Sequence, residues 1–299
     1  MIGLELIPHI PIGENLENSV DWIKESFAPV LRFFSVSATS LVDFFAQILL
    51  FLPSPVMVLL FALFSWAVRS LRMAIGVLLA FTLIISMAQW ENSMLTLALV
   101  LFATVIAVLI AVPLGILAAK SDRASKILKP ILDFMQTMPS LMYLLPAIIF
   151  FSLGWAPAVF ATIIFALPPG VRLTELGIRQ VDSETVEAGH SFGASDWEIL
   201  TGIQLPLAVP SIMAGINQII MLSLSMAVIA GLGGADGLGK EVVSSLATLD
   251  LAKGLEAGLS VVFLAVFLDR TTAALGAPGD HKTSLLALLR KRREANTKA

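Results

Sequence analysis

The sequence predicts an all-α membrane protein with about seven transmembrane helices. Hydrophobic residues make up 57% of the 299-residue chain and charged residues only 14%, and the mean hydropathy is +0.90. A soluble domain averages about 45–50% apolar and about 25% charged residues. The excess lies in long runs with few charges, and a membrane-spanning helix needs about 20 such residues.

Seven apolar runs are candidate spans. They cover residues 44–68, 73–90, 94–119, 131–153, 156–171, 210–230 and 255–268. Pro53 and Pro55 predict a kink in the first run, and the fifth and seventh runs are short. Before them, residues 14–40 carry apolar side chains at helical spacing, which predicts an amphipathic helix on the outer bilayer surface or a helix packed on the spans.

Basic residues orient the bundle. They follow the first, third, fifth and seventh runs, which places them all on one side if the number of spans is odd. These residues are Arg69, Arg72, Lys120, Arg123, Lys126, Lys129, Arg172, Arg179 and 290–293. Because cytoplasmic loops are rich in Lys and Arg, we expect the N-terminus outside and the C-terminus in the cytoplasm.

This topology divides the chain into four parts. Residues 1–43 form an acidic extracytoplasmic arm with an amphipathic helix, and 44–90 form two N-terminal spans. The core covers 91–272, and 273–299 is a basic cytoplasmic tail.

The stretch "GLGGADGLGK", 231–240, resembles the start of an ATP-binding loop. Gly234, Gly239 and Lys240 fit G-x-x-x-x-G-K, but Glu241 stands where the Mg²⁺-binding Ser or Thr is required. No strand precedes it, so we expect a flexible extracytoplasmic turn that binds no ATP. With no cysteine and three scattered histidines, we expect no metal site, cofactor or catalytic residue.

One long polar loop, between the fifth and sixth runs, can fold on its own. Asp182 or Ser183 can cap a short helix that runs to Ser191, and Glu184 favours its positive end. Gly193 suits the left-handed residue that ends a helix. Ser195-x-x-Glu198 is a capping box that starts a second helix. We therefore predict two short helices joined by a tight turn on the cytoplasmic face.

Glu187-Ala188-Gly189, Gly193 and Ile203-x-Leu205-Pro206 resemble the "EAA…G…I-LP" signature of ABC importer permeases, with Gly189 where that signature has Ala. The stretches "LDFMQTMPSLMYLLPA", "LPPGVRLTELGIRQV", "GINQIIMLSLSMAVIAG" and "LDR" are similar to permeases for glycine betaine, proline betaine and choline. This similarity covers roughly residues 90–272.

The resemblance implies a type I importer permease of the bacterial inner membrane, acting as a homodimer with two separate ATPase subunits and an extracytoplasmic binding protein. The chain is then a transport subunit and not an enzyme, and its contacts are lipid and protein rather than nucleic acid. The loop 182–206 is the coupling element. Its implied ATPase-coupling residues are Glu187, Ala188, Gly189, Gly193, Ala194, Ile203, Leu205 and Pro206. The resemblance leaves open the solute and its osmoprotective or nutritional role.

Two polar faces are candidates for the translocation pathway. Intramembrane polar residues tend to face a bundle interior or a pathway. At helical spacing, one face carries Gln136, Ser140 and Tyr143, and the other carries Asn217, Met221 and Ser225. Helix–helix hydrogen bonding explains small polar residues equally well. Pro139 and Pro146 are either hinges of the fourth run or tolerated kinks.

Other functions fit less well. An ion-coupled transporter requires charges within the spans and inverted repeats, whereas only Asp133 lies near a span and no repeat is visible. A membrane-embedded enzyme requires a catalytic group such as paired intramembrane aspartates or H-E-x-x-H, and the sequence contains neither. A structural scaffold predicts no long cytoplasmic signature loop, whereas this sequence has one. No aromatic box for a quaternary ammonium is evident either, so we expect tight recognition by the binding protein.

Overall fold

The computed structural model describes residues 20–277 and 283–285. The basic run 290–293 and the first 19 residues of the predicted arm lie outside the described residues. Residues 20–26 are helical, and twelve α-helices follow: α1 Ala28–Leu50, α2 Ser54–Val68, α3 Leu71–Ser86, α4 Trp90–Lys120, α5 Asp122–Thr137, α6 Leu141–Phe151, α7 Trp155–Arg179, α8 Ser183–Ser191, α9 Asp196–Ile199, α10 Leu205–Ile229, α11 Leu238–Thr248 and α12 Leu251–Gly276. A π-helical segment, Leu200–Gln204, joins α9 to α10.

Five described helices are long and apolar enough to cross a membrane: α1, α4, α7, the continuous helix Asp196–Gly233 and α12. The pair α5 and α6 raises the number to six if it is one broken span. The two shorter apolar helices α2 and α3 have 15 and 16 residues. The all-α membrane fold is therefore confirmed, but the division into spans differs from the predicted seven.

The first predicted span is two helices and not one kinked helix. Helix α1 ends at Leu50, and Pro53 caps the start of α2. Proline lacks a backbone N–H and fits the first turn of a helix but not its interior, so these prolines start a new helix. The predicted boundary between residues 43 and 44 falls inside α1, since the helix continues through it.

Helix α1 packs on the core. The ring of Phe34 lies 5.9 Å from that of Phe160, and the ring of Phe45 lies 6.2 Å from that of Phe102. Val42, between them, is fully buried. Of the two interpretations of this segment, the structure therefore supports a helix packed on the spans.

Helices α4, α7 and α10 form the centre of the bundle and meet through small residues. A Cβ added at Gly115 of α4 would lie 2.5 Å from the Thr174 Cβ of α7. One added at Gly177 of α7 would lie 2.6 Å from the Ser211 Cβ of α10. Because a real Cβ does not approach so closely, glycine is what allows these helix backbones to touch. The predicted fifth span, α7, is a full 25 residues long.

The loops gather at two ends of the bundle. At one, which we call the glycine end, the Gly154 N–H donates to the Gly233 carbonyl at 2.9 Å, and the Leu238 N–H donates to Thr96 Oγ1 at 2.8 Å. At the other, α4 and α7 terminate and α8 and α9 project. We call α8, α9 and the turn 192–195 the helix pair, and this end the helix-pair end.

Candidate functional site

The helix pair folds as its capping residues predict. The Asp182 carboxylate accepts a hydrogen bond from the Glu184 N–H at 3.2 Å at the start of α8. After α8, Gly193 has φ +83°, a left-handed conformation that glycine adopts without strain. The Ser195 N–H donates to Glu198 Oε2 at 2.7 Å, while Ser195 Oγ accepts from the Glu198 N–H at 3.4 Å. These reciprocal bonds are the predicted capping box.

The helix pair is braced against the helix that follows it. A Cβ at Gly189 would lie 2.9 Å from Cδ1 of Ile203 and 3.3 Å from Cγ1 of Ile199. Glycine in place of the signature alanine therefore brings α8 close to α9 and to the π-helical segment. Next along the chain, Leu200 is buried against Ile178 of α7. Apolar packing thus fixes the pair to the bundle.

The predicted coupling residues divide into two groups. Four are exposed, namely Glu187, Ala188, Gly193 and Pro206, and four are half-buried, namely Gly189, Ala194, Ile203 and Leu205. The first group presents the larger share of its surface to a partner. Two aromatic residues that the signature does not mark are more prominent: the exposed fractions of Phe192 and Trp197 are 93% and 70%. Their large apolar side chains within a polar loop were the signal available in the sequence.

The first predicted pathway face does not exist as a single helix face. Gln136 lies on α5, Ser140 lies in the break, and Tyr143 lies on α6, and the two helix axes meet at 96°. Pro139 disfavours a helical residue before it, and Met138 accordingly has an extended ψ of 133°. Tyr143 is buried and its hydroxyl donates to the Met135 carbonyl across the bend.

The residues of the second predicted face lie on one helix, α10, but their surroundings differ. The Asn217 side chain is directed to α12, where its amide donates to Asp269 at 2.9 Å and its carbonyl accepts from Thr272 Oγ1 at 2.8 Å. Met221 is half-buried and Ser225 is exposed. Gln218, which sequence reasoning missed, is exposed three residues before Met221 and seven before Ser225. This spacing places Gln218 on the stripe that was assigned to Asn217.

The stretch 231–240 is a packed junction rather than an open turn. A Cβ at Gly231 would lie 2.5 Å from the Lys240 nitrogen, and one at Gly237, where φ is +104°, would lie 2.6 Å from Thr96 Oγ1. Lys240 Nζ lies 2.6 Å from Asp236 Oδ1, and this hydrogen bond raises the pKa of the lysine. The cation of the apparent ATP-binding pattern therefore already has an anionic partner.

Comparison with known proteins agrees with this architecture. Residues 111–277 match the family described as binding-protein-dependent transport system inner membrane component. The chain belongs to this family, whose members are permease subunits of ABC importers.

Individual relatives are similar over most of the chain. The identity to the glycine betaine/proline betaine transport system permease protein ProW of Escherichia coli (strain K12) is 43%, over 89% of this chain and 75% of that protein. The glycine betaine transport system permease protein OpuAB of Bacillus subtilis (strain 168) is 43% identical over 90% of this chain and 95% of that protein. The glycine betaine/carnitine transport permease protein GbuB of Listeria monocytogenes is 42% identical over 90% of this chain and 96% of that protein.

A solved structure supports the fold. An inward-facing MetNI methionine ABC transporter chain superposes with a TM-score of 0.56 at 18% identity, covering 60% of this chain and 91% of that chain. The described helices therefore have the fold of a type I ABC importer permease.

Proposed function

We propose that this permease carries a quaternary-amine compatible solute, such as glycine betaine, proline betaine or choline, into a bacterial cell. A binding protein delivers the solute from outside, and two separate ATPase subunits drive a permease homodimer from the cytoplasm. The names of the relatives support this class of solute, since ProW, OpuAB and GbuB are all named for glycine betaine. Uptake of such solutes suits an osmoprotective role.

The exposed helix pair is the observation that carries the proposal. It presents two exposed rings, Phe192 and Trp197, and an exposed acidic side chain, Glu187. Buried aromatic residues dominate the binding energy of many interfaces. A groove in the ATPase that accepts these two rings would hold the helix pair firmly.

The connections of the helix pair allow it to move spans. Helix α7 ends at Arg179, three residues before the Asp182 cap, and α9 runs through the π-helical segment into α10 without a break. A displacement of the pair therefore acts directly on α7 and α10, which also pack on each other. Rigid-body movement of packed helices is an established route to alternating access.

The test is uptake into liposomes that contain the permease, with its ATPase inside and its binding protein outside. We expect Phe192→Ala and Trp197→Ala each to lower ATP-driven glycine betaine uptake at least about tenfold, as the loss of an interface anchor does. Glu187→Ala should also abolish uptake while the protein still inserts in the membrane. Phe33→Ala is the control, because Phe33 of α1 is 75% exposed but far along the chain from the pair.

Unchanged uptake in the Phe192, Trp197 and Glu187 variants would contradict the coupling assignment. Solute competition tests the substrate separately. Unlabelled proline betaine or choline should reduce uptake of labelled glycine betaine, and an equal concentration of glycine, which lacks the methyl groups, should not. Competition by glycine as strong as that by proline betaine would contradict the proposed solute class.

A further inference from the structure

Helix α5 is joined to the bundle by a narrow apolar stripe and by a series of polar contacts with α7. Among its side chains only Ser125 and Leu132 are buried. Three of its apolar side chains point outward: Ile127, Ile131 and Phe134 are 64%, 50% and 66% exposed. One apolar stripe of α5, formed by Leu128, Leu132 and Met135, packs on the core, and polar contacts provide the rest of its attachment to α7.

Glu175 of α7 is the centre of this attachment. Its side chain is only 8% exposed, although a carboxylate is rarely buried without partners. Its Oε1 accepts a hydrogen bond from Ser125 Oγ at 2.7 Å and lies 3.0 Å from Arg179 Nε. Lys129 Nζ is 3.8 Å away. The carboxylate thus joins α7 to α5 from a position largely shielded from water.

Arg179 extends the contact to a third helix. Its Nη2 donates to the Ala118 carbonyl in the last turn of α4 and to Asp122 Oδ1 at the start of α5, both at 2.8 Å. One guanidinium therefore contacts α4, α5 and α7, and its planar fork fixes the angle between them.

A second ion pair lies further along the same two helices. Arg172 of α7 is paired with Asp133 of α5, eleven residues after Asp122. The polar contacts therefore follow most of the length of α5. We call this set the α5–α7 seam, and its members are Asp122, Ser125, Asp133, Arg172, Glu175 and Arg179.

The seam lies between the helix pair and the bend that joins α5 to α6. On one side, Arg179 is the last residue of α7 before the Asp182 cap of the helix pair. On the other, α5 leads through the bend into α6, where Tyr143 is buried in a cluster with Met226 of α10. Any movement that α7 passes to α5 thus reaches the interior of the bundle.

We propose that the α5–α7 seam makes α5 move with α7 as one body when the helix pair is displaced, with Glu175 and Arg179 as positioning residues. This inference rests on the proposed coupling function. Without the seam, α7 would follow the ATPase while α5 and α6 stayed behind. ATP would then be hydrolysed without transport.

The ratio of ATP hydrolysed to solute transported distinguishes this role from simple stabilisation. A residue that only stabilises the fold changes the amount of active protein and lowers both rates together. A positioning residue of the seam changes the ratio. We expect Glu175→Gln to lower uptake about tenfold, within the range of coupling effects of remote residues, with ATP hydrolysis that the binding protein still stimulates.

Glu241→Gln is the matched control. Glu241 forms a comparable ion pair with Lys253 at 2.8 Å, and its side chain is 22% exposed, but it lies on α11. In this variant the ratio of ATP hydrolysed to solute transported should equal that of the wild type. An unchanged ratio in Glu175→Gln, with both rates normal or with both reduced in proportion, would overturn the inference.

Cross-linking tests the shared movement directly. The chain contains no cysteine, so Asp133→Cys with Arg172→Cys introduces a single thiol pair across the seam. If α5 and α7 move as one body, joining these thiols with a short bifunctional reagent leaves uptake equal to or above that of the unlinked variant. Loss of uptake on linking, with recovery after cleavage of the reagent, would show that the helices separate and would overturn the proposal.

A charge exchange provides an independent check. Asp133→Arg and Arg172→Asp should each raise the ATP consumed per solute, and the double variant should restore a ratio near that of the wild type. Absence of transport in the wild type would instead refute the proposed function. A coupled wild type whose cross-linked variant is blocked would refute only the role of the seam.

Discussion

The two ends of this bundle are held together in different ways. At the glycine end, helices meet through backbone, because Gly231 and Gly237 have no room for a side chain. At the helix-pair end, α4, α7 and α10 also meet at Gly115 and Gly177, but α5 is joined to α4 and α7 through long charged side chains such as Arg179. Close-packed backbones cannot shift past each other without clashes, whereas helices joined by long side chains can be displaced together while their contacts are kept. The comparison indicates a fixed end and a movable end.

The largest expected difference between the ends is in accessibility, since we expect them on opposite sides of the membrane. Glu187→Cys and Lys240→Cys each provide a single thiol, because the chain has no cysteine of its own. A membrane-impermeant maleimide should label Lys240→Cys on intact cells and Glu187→Cys only in inverted vesicles. Labelling of both from one side would contradict the assigned topology.

The largest effect on stability is expected at the glycine end. A Cβ at Gly239 would lie 2.7 Å from the Val228 carbonyl oxygen and even closer to the Ala227 carbonyl oxygen. Because backbone atoms cannot move aside cheaply, we expect Gly239→Ala to destabilise the protein by about 3 kcal/mol. Thermal unfolding in detergent measures this effect.

Gly258→Ala is the control for this substitution. It lies on α12, and no heavy atom is within 4 Å of its Cβ position. It should melt at the wild-type temperature or slightly above it, since alanine favours a helix. Equal melting temperatures for the Gly239→Ala and Gly258→Ala variants would contradict the proposal of a fixed glycine end.

A substitution in the helix pair should affect function more than stability. Gly193 has φ +83° with no atom near its Cβ position, so Gly193→Ala has a strain cost of about 1–2 kcal/mol and no clash. The turn projects from the bundle, so relaxing it moves the helix pair but not the core. We expect a strong loss of ATP-driven uptake with a nearly normal melting temperature.

Gly202→Ala is the companion to this variant. Gly202 lies in the π-helical segment with open space around it and without a positive φ. It should retain both stability and uptake. Normal uptake by Gly193→Ala would contradict the importance of the turn geometry.

Local features of the fold could be predicted from the sequence, and long-range pairings could not. The caps at Asp182 and Ser195 depend on residues within one helical turn, and both were correct. The partnership of Ser125 with Glu175 joins residues 50 positions apart, and nothing local marks it. Each of these residues on its own looks like an ordinary polar position.

The errors in the spans have a similar cause. Proline marks a position where a helix is disturbed, but packing decides whether it bends or ends there. Pro113 lies inside the continuous helix α4, whereas Pro53 and Pro139 accompany complete breaks. Residues 28–43 include Arg32 and Asp43, which obscured the first helix in the hydropathy pattern. The mean hydropathy of α1 over its best window is nonetheless 1.6, high enough for a membrane span, so the sequence did carry the signal.

The smallest effect is expected between the two ends, at Asn217. Asn217→Leu keeps a similar volume but removes the hydrogen bonds to Asp269 and Thr272. Hydrogen bonds between membrane helices contribute about 0.6 kcal/mol on average, so the melting temperature should fall only slightly.

A substitution of the next residue, Gln218, distinguishes a role in helix packing from a role in transport. Gln218 is exposed, and no hydrogen bond of its side chain to the described part of the chain is found. We expect Gln218→Leu to leave the melting temperature unchanged and to lower glycine betaine uptake, because its stripe on α10 carries the remaining pathway candidates, Met221 and Ser225. If Asn217→Leu lowers uptake and Gln218→Leu does not, the pathway lies on the α12 side of α10. In that case, because Asn217 joins α10 to α12, we expect a displacement of the helix pair to move these two helices together.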